Sequence, residues 1–198
     1  MVSKIFIITG TSGAGKDSVI EKIKDKNLEF EWVKTTVSRP MREGESQGNP
    51  YYFVTPEEFQ NKINRGEMIE HALVYGKYYG GEKEEIERCL ATKKPVIWKV
   101  DIQGVPTIKK HYPDAVCIFI SAPSFEALEK RIRGRAKDDE ETIRKRMKAA
   151  KEEMKDANIN PLYDHVVVNE EDRLAETAGK VTKIIQESFK EPRNTGCA

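Results

Sequence analysis

A glycine-rich segment near the start of the sequence has the residue types and spacing of a phosphate-binding loop. It follows an apolar run, Ile5 to Ile8, and leads into a stretch with helical spacing. Glycines let the backbone N–H groups face a polyphosphate, the first helical turn adds its positive dipole end, and a lysine can reach the β- and γ-phosphates. The alternative is a turn that only joins a strand to a helix. The pattern favours a nucleotide site formed by Gly10, Thr11, Ser12, Gly13, Ala14, Gly15, Lys16, Asp17 and Ser18.

One position of this loop departs from the usual pattern. Ser or Thr directly after the lysine supplies a hydroxyl ligand for Mg²⁺, but here Asp17 stands at that place and the hydroxyl comes next, at Ser18. The Asp17 carboxylate could bind the metal itself. We favour a metal bound through water, with Ser18 at the helix start or on a phosphate, because a carboxylate would lie near phosphate charge. Asp17 and Ser18 are therefore the candidate Mg²⁺ ligands.

Two arginines could hold a second phosphate. Arg39 and Arg42 lie three residues apart on a loop stiffened by proline, and guanidinium forks suit a phosphate that must be bound and oriented. Tyr51 and Tyr79 could add hydroxyl donors, although single tyrosines are more often core or half-exposed residues. The alternative is a solvated basic loop. Since long irregular segments in compact domains are usually functional, this loop is a candidate acceptor site.

The elements that position these residues follow an α/β pattern. Strand and helix patterns alternate from Pro95 onward, and a buried strand ends in Asp101, where ligands of open parallel sheets lie. We predict a single domain over 1–190 with the three-layer P-loop NTPase fold. Its parallel core sheet comes from 1–35 and 93–190, and residues 36–92 are inserted between these two parts. The tail, 191–198, has no periodicity and is predicted to be disordered.

Local patterns predict several element boundaries. Trp32 to Val37 alternates like one strand. Thr55 and Glu58 flank a proline in a capping box that begins a helix. Asn169 and Asp172 could begin a last helix over 170–189.

Composition excludes several classes of protein. The 34 Lys and Arg residues balance 33 Asp and Glu residues among 198, so nothing indicates a nucleic-acid or membrane-surface binder. The three cysteines, Cys89, Cys117 and Cys197, are odd in number and widely spaced, which argues against a disulfide framework or a metal site. The N-terminus runs straight into a strand, and no apolar stretch nears a membrane span. We therefore expect a cytoplasmic protein with no nucleic-acid or membrane partner.

Several motifs occur together in the order and spacing of one family. They are T-x-x-x-R-P-x-R-x-G-E-x-x-G-x-x-Y-x-F-V from Thr35 to Val54, the phosphate loop, Ile69-Glu70, Tyr78-Tyr79-Gly80 and Asp101-Ile102-Gln103-Gly104. With these motifs the sequence resembles guanylate kinase from residue 4 to about 189. The resemblance implies Mg²⁺-dependent transfer of the γ-phosphoryl group of ATP to GMP or dGMP, giving ADP and GDP. It also implies that residues 36–92 form a mixed α+β lobe that binds GMP and that a helical lid lies near 134–145.

The resemblance also implies roles for individual residues. On the GMP side, the phosphate would be held by Arg39, Arg42, Tyr51 and Tyr79. The guanine base would contact Thr35 and Glu70. Asp101 would help to order the metal and catalytic centre. On the ATP side, Lys16 and the loop amides would bind the nucleotide, and Asn169 resembles the adenine-side contact, its alternative being the helix cap. Arg131, Arg135 and Arg146 would belong to a lid that stabilises the transferring phosphoryl group; the alternative is a charged, solvated helix pair.

Two guanine-side positions differ from the family. Gly81 stands where the family usually has a hydroxyl residue, and Lys99 stands where it commonly has Asp. Lys99 and Asp101 project from the same side of their strand. The Lys99 ammonium could donate to guanine O6, with Glu70 accepting from the base N–H groups, or it could only neutralise Glu70 or Asp101.

Two rival functions stay open at this stage. One is an inactive guanylate-kinase-like module that binds a phosphorylated peptide; the intact loop argues against it. The other is a kinase for another small phosphate acceptor, because Lys16-Asp17-Ser18 also resembles ribose bisphosphate phosphokinases; the Arg-Arg-Tyr segment favours a nucleotide. The expected partners are ATP and GMP or dGMP, with the protein a monomer or homodimer.

Overall fold

A computed structural model describes residues 3–26, 28–74, 76–134, 140–156 and 159–190. These residues form two compact units, one from 3–7 and 29–115 and the other from 8–28 and 116–190. In chain order the elements are β1 (Ile5–Gly10), α1 (Lys16–Lys24), β2 (Glu31–Trp32), β3 (Thr36–Val37), β4 (Tyr52–Phe53), α2 (Pro56–Asn64), β5 (Met68–Val74), β6 (Lys77–Glu82), α3 (Lys83–Ala91), β7 (Val96–Lys99), a 3₁₀ turn (Ile102–Gly104), α4 (Val105–His111), β8 (Val116–Ser121), α5 (Phe125–Arg133), α6 (Glu140–Asp156), β9 (His165–Val168) and α7 (Leu174–Lys190).

The strands form two sheets. The first has the order β2-β7-β1-β8-β9, in which β2 pairs parallel with β7 and β8 pairs parallel with β9. The second has the order β4-β3-β6-β5 and is mixed, because β3 is parallel to β4 and antiparallel to β6. The predicted α/β fold class with a parallel core sheet is confirmed. The boundaries of the lobe and the lid stay predictions, and the tail lies outside the described residues.

Each unit has an apolar interior of its own. In the first unit Trp98 is fully buried, and Phe59 stacks on Tyr78 with ring centroids 5.2 Å apart. In the second unit a buried cluster joins the end of β8 to α5 and α6, and its members are Ala122, Leu128, Ile132, Ile143, Met147 and Ala150. Cys89 and Cys117 are both buried, and no disulfide joins them. No helix in the described part of the chain is both long and apolar enough to cross a membrane.

The capping box at α2 is confirmed. Thr55 is the N-cap, and its hydroxyl accepts a hydrogen bond from the Glu58 N–H at 3.1 Å. The Glu58 carboxylate in turn accepts from the Thr55 N–H at 2.7 Å. These bonds satisfy helix-start donors that otherwise lack partners, so the local sequence alone fixes where α2 begins.

Two predicted elements differ in the structure. The single strand over Trp32 to Val37 is wrong: the chain changes sheets there, because the Val33 N–H donates to Ile97 in the first sheet and Thr35 accepts from Tyr52 in the second.

The predicted start of the last helix is also wrong. Helix α7 begins at Leu174, because Asp172 adopts a left-handed backbone with φ of 59°. The side chain of Asn169 is used elsewhere and caps nothing at this helix.

Candidate active site

The phosphate loop connects two elements that hold it firmly. All six residues of β1 are buried, and α1 begins directly after Gly15, which has φ of 87°. A Cβ atom on Gly10 would lie 2.0 Å from the Ile120 carbonyl oxygen, and one on Gly15 would lie 2.6 Å from Nδ2 of Asn169. The loop can therefore take this path only with glycine at these two positions.

Lys16 and the two residues after it form the first turn of α1. The Lys16 ammonium donates to the carbonyl oxygens of Gly10 and Thr11, the latter at 3.0 Å. It is thus held at the loop, where the helix dipole favours an anion. Asp17 and Ser18 are exposed. Their oxygen atoms are of the kind that a hard cation such as Mg²⁺ takes as ligands. No group of three or more acidic, His or Cys side chains within the described ranges could hold a metal ion.

Asn169 ties the end of β9 to the phosphate loop. Its side-chain N–H donates to the Ala14 carbonyl at 2.9 Å, and its backbone carbonyl accepts from Nη2 of Arg131 at 2.9 Å. Among the described residues, Oδ1 of Asn169 and Nη1 of Arg131 are buried with no hydrogen-bond partner. Both side chains therefore carry unused hydrogen-bonding capacity beside the loop.

Helix α6 reaches the same loop at Ser12. Arg146 donates to the Ser12 hydroxyl from Nε at 3.3 Å and from Nη2 at 3.2 Å, while Glu153 accepts from the Ser12 N–H at 3.1 Å. Two side chains seven residues apart on one helix thus contact one loop residue. Arg135, the third predicted lid arginine, lies outside the described residues.

In the other unit, Arg39 is the centre of the predicted phosphate ligands Arg39, Arg42, Tyr51 and Tyr79, which we call the acceptor cluster. Its side chain is 8% exposed and makes a two-fold pair with Glu45, in which both N···O distances are 2.6 Å. The guanidinium lies 5.3 Å from the ring centroids of both Tyr51 and Phe53. Hydrogen bonding to Arg39 lowers the pKa of Glu45 to about 2, and the Glu45 carboxylate in turn raises the pKa of Arg39, with a smaller contribution from Tyr79. The pair is therefore fixed and fully ionised at neutral pH.

Other predicted phosphate ligands surround this pair. The Arg42 backbone N–H donates to the Glu45 carboxylate at 2.8 Å. Arg42 itself is exposed. Tyr51 and Tyr79 contact edge to face, with centroids 6.4 Å apart. Lys99 donates to the Tyr51 hydroxyl at 2.7 Å and lies 5.1 Å from its ring centroid. This Lys99–Tyr51 contact was in neither of the two hypotheses for Lys99.

Glu70 lies buried in the same unit. It is 5% exposed, and a Cβ atom on Gly104 would lie 2.6 Å from its Oε2. Burial, and then the Asp101 carboxylate, raise the pKa of Glu70 to about 8, against a lowering by the hydrogen bond from the Gly81 N–H. Asp101 accepts from the Gln103 N–H at 3.1 Å and begins the 3₁₀ turn. Two acidic groups are therefore held near each other, one of them out of water.

The structure thus gathers the predicted residues into two sets, one in each unit. Thr35 is buried directly before β3, whose Val37 pairs with Tyr79. The sequence analysis missed Glu45 and Glu153 as site residues. Glu45 had a recognisable signal, an acidic residue in the basic Arg39 to Arg42 loop, whereas Glu153 is one of many charges on a polar helix.

Comparison with known proteins gives a consistent result. The family model described as guanylate kinase matches residues 2–188. A guanylate kinase of Hydrogenovibrio crunogenus is 40% identical over 85% of this chain and 81% of its own length, and one of Porphyromonas gingivalis is 41% identical over 86% and 90%. The crystal structure of guanylate kinase from Anaplasma phagocytophilum matches with a TM-score of 0.75 and 29% identity, covering 96% of this chain and 88% of that one. With its phosphate loop and its acceptor cluster, this chain belongs to the guanylate kinase family.

Proposed function

We propose that the protein transfers the γ-phosphoryl group of ATP to GMP or dGMP, giving ADP and GDP. The observation that carries the proposal is the combination, in one chain, of an intact phosphate loop ending in Lys16 and a buried guanidinium, Arg39, that Glu45 orients through two oxygens. Curated relatives named guanylate kinase support the choice of GMP as the acceptor.

On the ATP side, the loop amides and the start of α1 bind the phosphates, and Lys16 exchanges its two loop carbonyls for phosphate oxygens. Arg131, Arg135 and Arg146 supply positive charge where negative charge is spread over the transferring group. Asn169 contributes to the adenine side. Its contact with Ala14 supports the loop at the same time.

On the acceptor side, Arg39, Arg42, Tyr51 and Tyr79 hold the GMP phosphate. Because Glu45 and two aromatic rings already fix the Arg39 guanidinium, little side-chain freedom is lost when the phosphate binds. Thr35 and Glu70 contact the base, and Asp101 helps to order the catalytic centre. In its ionised form Glu70 offers both carboxylate oxygens as acceptors for the base N–H groups.

Magnesium is the proposed cofactor, and Asp17 and Ser18 would hold it directly or through water. When bound, it neutralises charge on the transferring phosphoryl group. The cytoplasmic location and the monomeric or homodimeric state stay predictions from the sequence.

A coupled ADP-release assay with ATP and Mg²⁺ tests this function against its rivals. GMP, dGMP, AMP, IMP, UMP and CMP are presented in parallel, with a Lys16→Met variant as background. We expect turnover with GMP and dGMP only. Preference for another base would point to Lys99 and Gly81, and ATP binding without turnover on any nucleotide would favour the phosphopeptide module.

A further inference from the structure

The indole of Trp98 fills the place where a side chain at position 81 would lie. A Cβ atom on Gly81 would be 2.1 Å from Cζ2 of Trp98 and 2.8 Å from Cε2. Trp98 is fully buried, so the ring has no room to move aside without disturbing the core. Gly81 and Trp98 are therefore a matched pair.

This indole edge and the Glu70 carboxyl group both lie against Gly81. Gly81 and Glu70 are directly opposed in the antiparallel pair of β6 and β5, and opposed residues project from the same face of a sheet. The Gly81 N–H also donates to Glu70. The carboxyl group and the indole edge thus flank one backbone residue on one face.

The Trp98 N–H is a hydrogen-bond donor without an acceptor. Nε1 is buried and has no partner among the described residues. It is bonded to Cε2, one of the atoms that face Gly81. Buried donors in native proteins are nearly always paired, and an exception is explained by a missing ligand, water or ion.

Guanine presents the acceptor that this donor needs. Its O6 is an acceptor, and its 2-amino group is a donor that a carboxylate such as Glu70 can accept from. We propose that the Trp98 indole N–H donates to O6 of the guanine base and replaces the hydroxyl that Gly81 lacks. The inference rests on the proposed function. Glu70 is itself only 5% exposed and Trp98 is fully buried, so the proposal requires that the pocket opens at both residues when the base binds.

Lys99 is the other candidate donor for O6. Its ammonium already donates to the Tyr51 hydroxyl at 2.7 Å, and Tyr51 lies against the Arg39 guanidinium. This contact places Lys99 in the acceptor cluster. Trp98 is the donor that lies against Gly81 together with Glu70, and it is therefore the better match to the base.

Indole N–H signals in ¹H–¹⁵N spectra give a direct test. The chain has two tryptophans, Trp32 and Trp98, and a Trp98→Phe variant assigns their two signals. Saturating GMP should move the Trp98 indole proton downfield and leave Trp32 as the internal reference. The analogue 6-thio-GMP should move it less, because sulfur is a weak acceptor. A Trp98 signal that does not respond to bound GMP would overturn the proposal.

Kinetics separate hydrogen bonding from packing. Wild-type protein should have a KM for 6-thio-GMP about tenfold above that for GMP. Trp98→Phe should raise the KM for GMP about tenfold and bring the ratio of the KM for 6-thio-GMP to the KM for GMP close to one. Trp32→Phe should keep the wild-type ratio of these two KM values.

An equal rise in both KM values for Trp98→Phe would mean that Trp98 only packs, and the proposal would be wrong. If wild-type protein turned over no GMP at all, the proposed function would fail. The indole titration would still decide whether GMP reaches Trp98.

Discussion

The buried carboxyl group of Glu70 should make the protein less stable as the pH rises through neutrality. Burial and the Asp101 carboxylate raise its pKa from 4.5 to about 8. Between these values the unfolded chain releases the proton while the folded protein keeps it, so unfolding becomes progressively easier. The stabilising contribution of the neutral carboxyl is fully present below pH 4.5 and is lost as the pH rises to about 8.

The size of the effect follows from the pKa difference. Each pKa unit corresponds to about 1.4 kcal/mol, so the rise from 4.5 to about 8 amounts to about 5 kcal/mol in the free energy of unfolding. Glu70→Gln removes the ionisation and keeps an oxygen that can accept from the Gly81 N–H. We therefore expect the free energy of unfolding of the variant to rise relative to that of the wild-type protein by about 4 kcal/mol between about pH 5 and about pH 8.5.

Urea unfolding followed by circular dichroism at several pH values measures this difference. Glu57→Gln, at an exposed position of α2, is the matched control for the loss of one carboxylate. A Glu70→Gln difference that is no more pH-dependent than that of the control would refute the reasoning, because burial would then not raise the pKa of Glu70.

Three further substitutions test other parts of the account. Glu45→Gln should raise the KM for GMP about tenfold or more, since it weakens the charged pair that orients the acceptor guanidinium; Glu43→Gln, on the same loop, is the control, and equal KM values for the two would contradict this role. Gly81→Ser should lower the free energy of unfolding by about 2 kcal/mol, because the serine side chain clashes with the Trp98 ring. Urea unfolding of the double variant with Trp98→Leu should show that part of this loss is recovered. No recovery in the double variant would contradict the clash. Asn169→Ala should raise the KM for ATP about fivefold, because its bond to the loop carbonyl is lost, and an unchanged KM for ATP would exclude this contribution.

Features that depend on a few neighbouring residues were predictable from the sequence. The phosphate loop needs glycine at fixed positions, and Gly10 and Gly15 have backbone angles and close neighbours that exclude a side chain. The capping box at Thr55 is likewise a local arrangement. In both cases the physical requirement lies within one short segment.

Features that depend on partners distant in the sequence were not predictable in the same way. The alternation over Trp32 to Val37 does not reveal that Val33 and Thr35 bond to different sheets. Asn169 has the residue type of a helix cap, but its amide bonds to Ala14, 155 positions earlier in the chain. Such choices are made by tertiary packing, which overrides local preference.

The candidate site shows the same division. The arginine and tyrosine motifs identified the acceptor cluster, whereas the contact between Lys99 and Tyr51 needed the folded arrangement. The unusual Gly81 was visible in the sequence. Its explanation, the Trp98 ring in the place of a side chain, was not visible, because a glycine in β6 and a tryptophan in β7 can be connected only once the two strands are placed.

The most direct test of the central claim follows the γ-phosphoryl group of ATP itself. ATP labelled at the γ-phosphate is incubated with the protein, Mg²⁺ and GMP, and the products are separated by chromatography. The account predicts that the label moves to GDP in an amount equal to the ADP formed. Label that appears in inorganic phosphate, or that stays in ATP while GMP is bound, would contradict it.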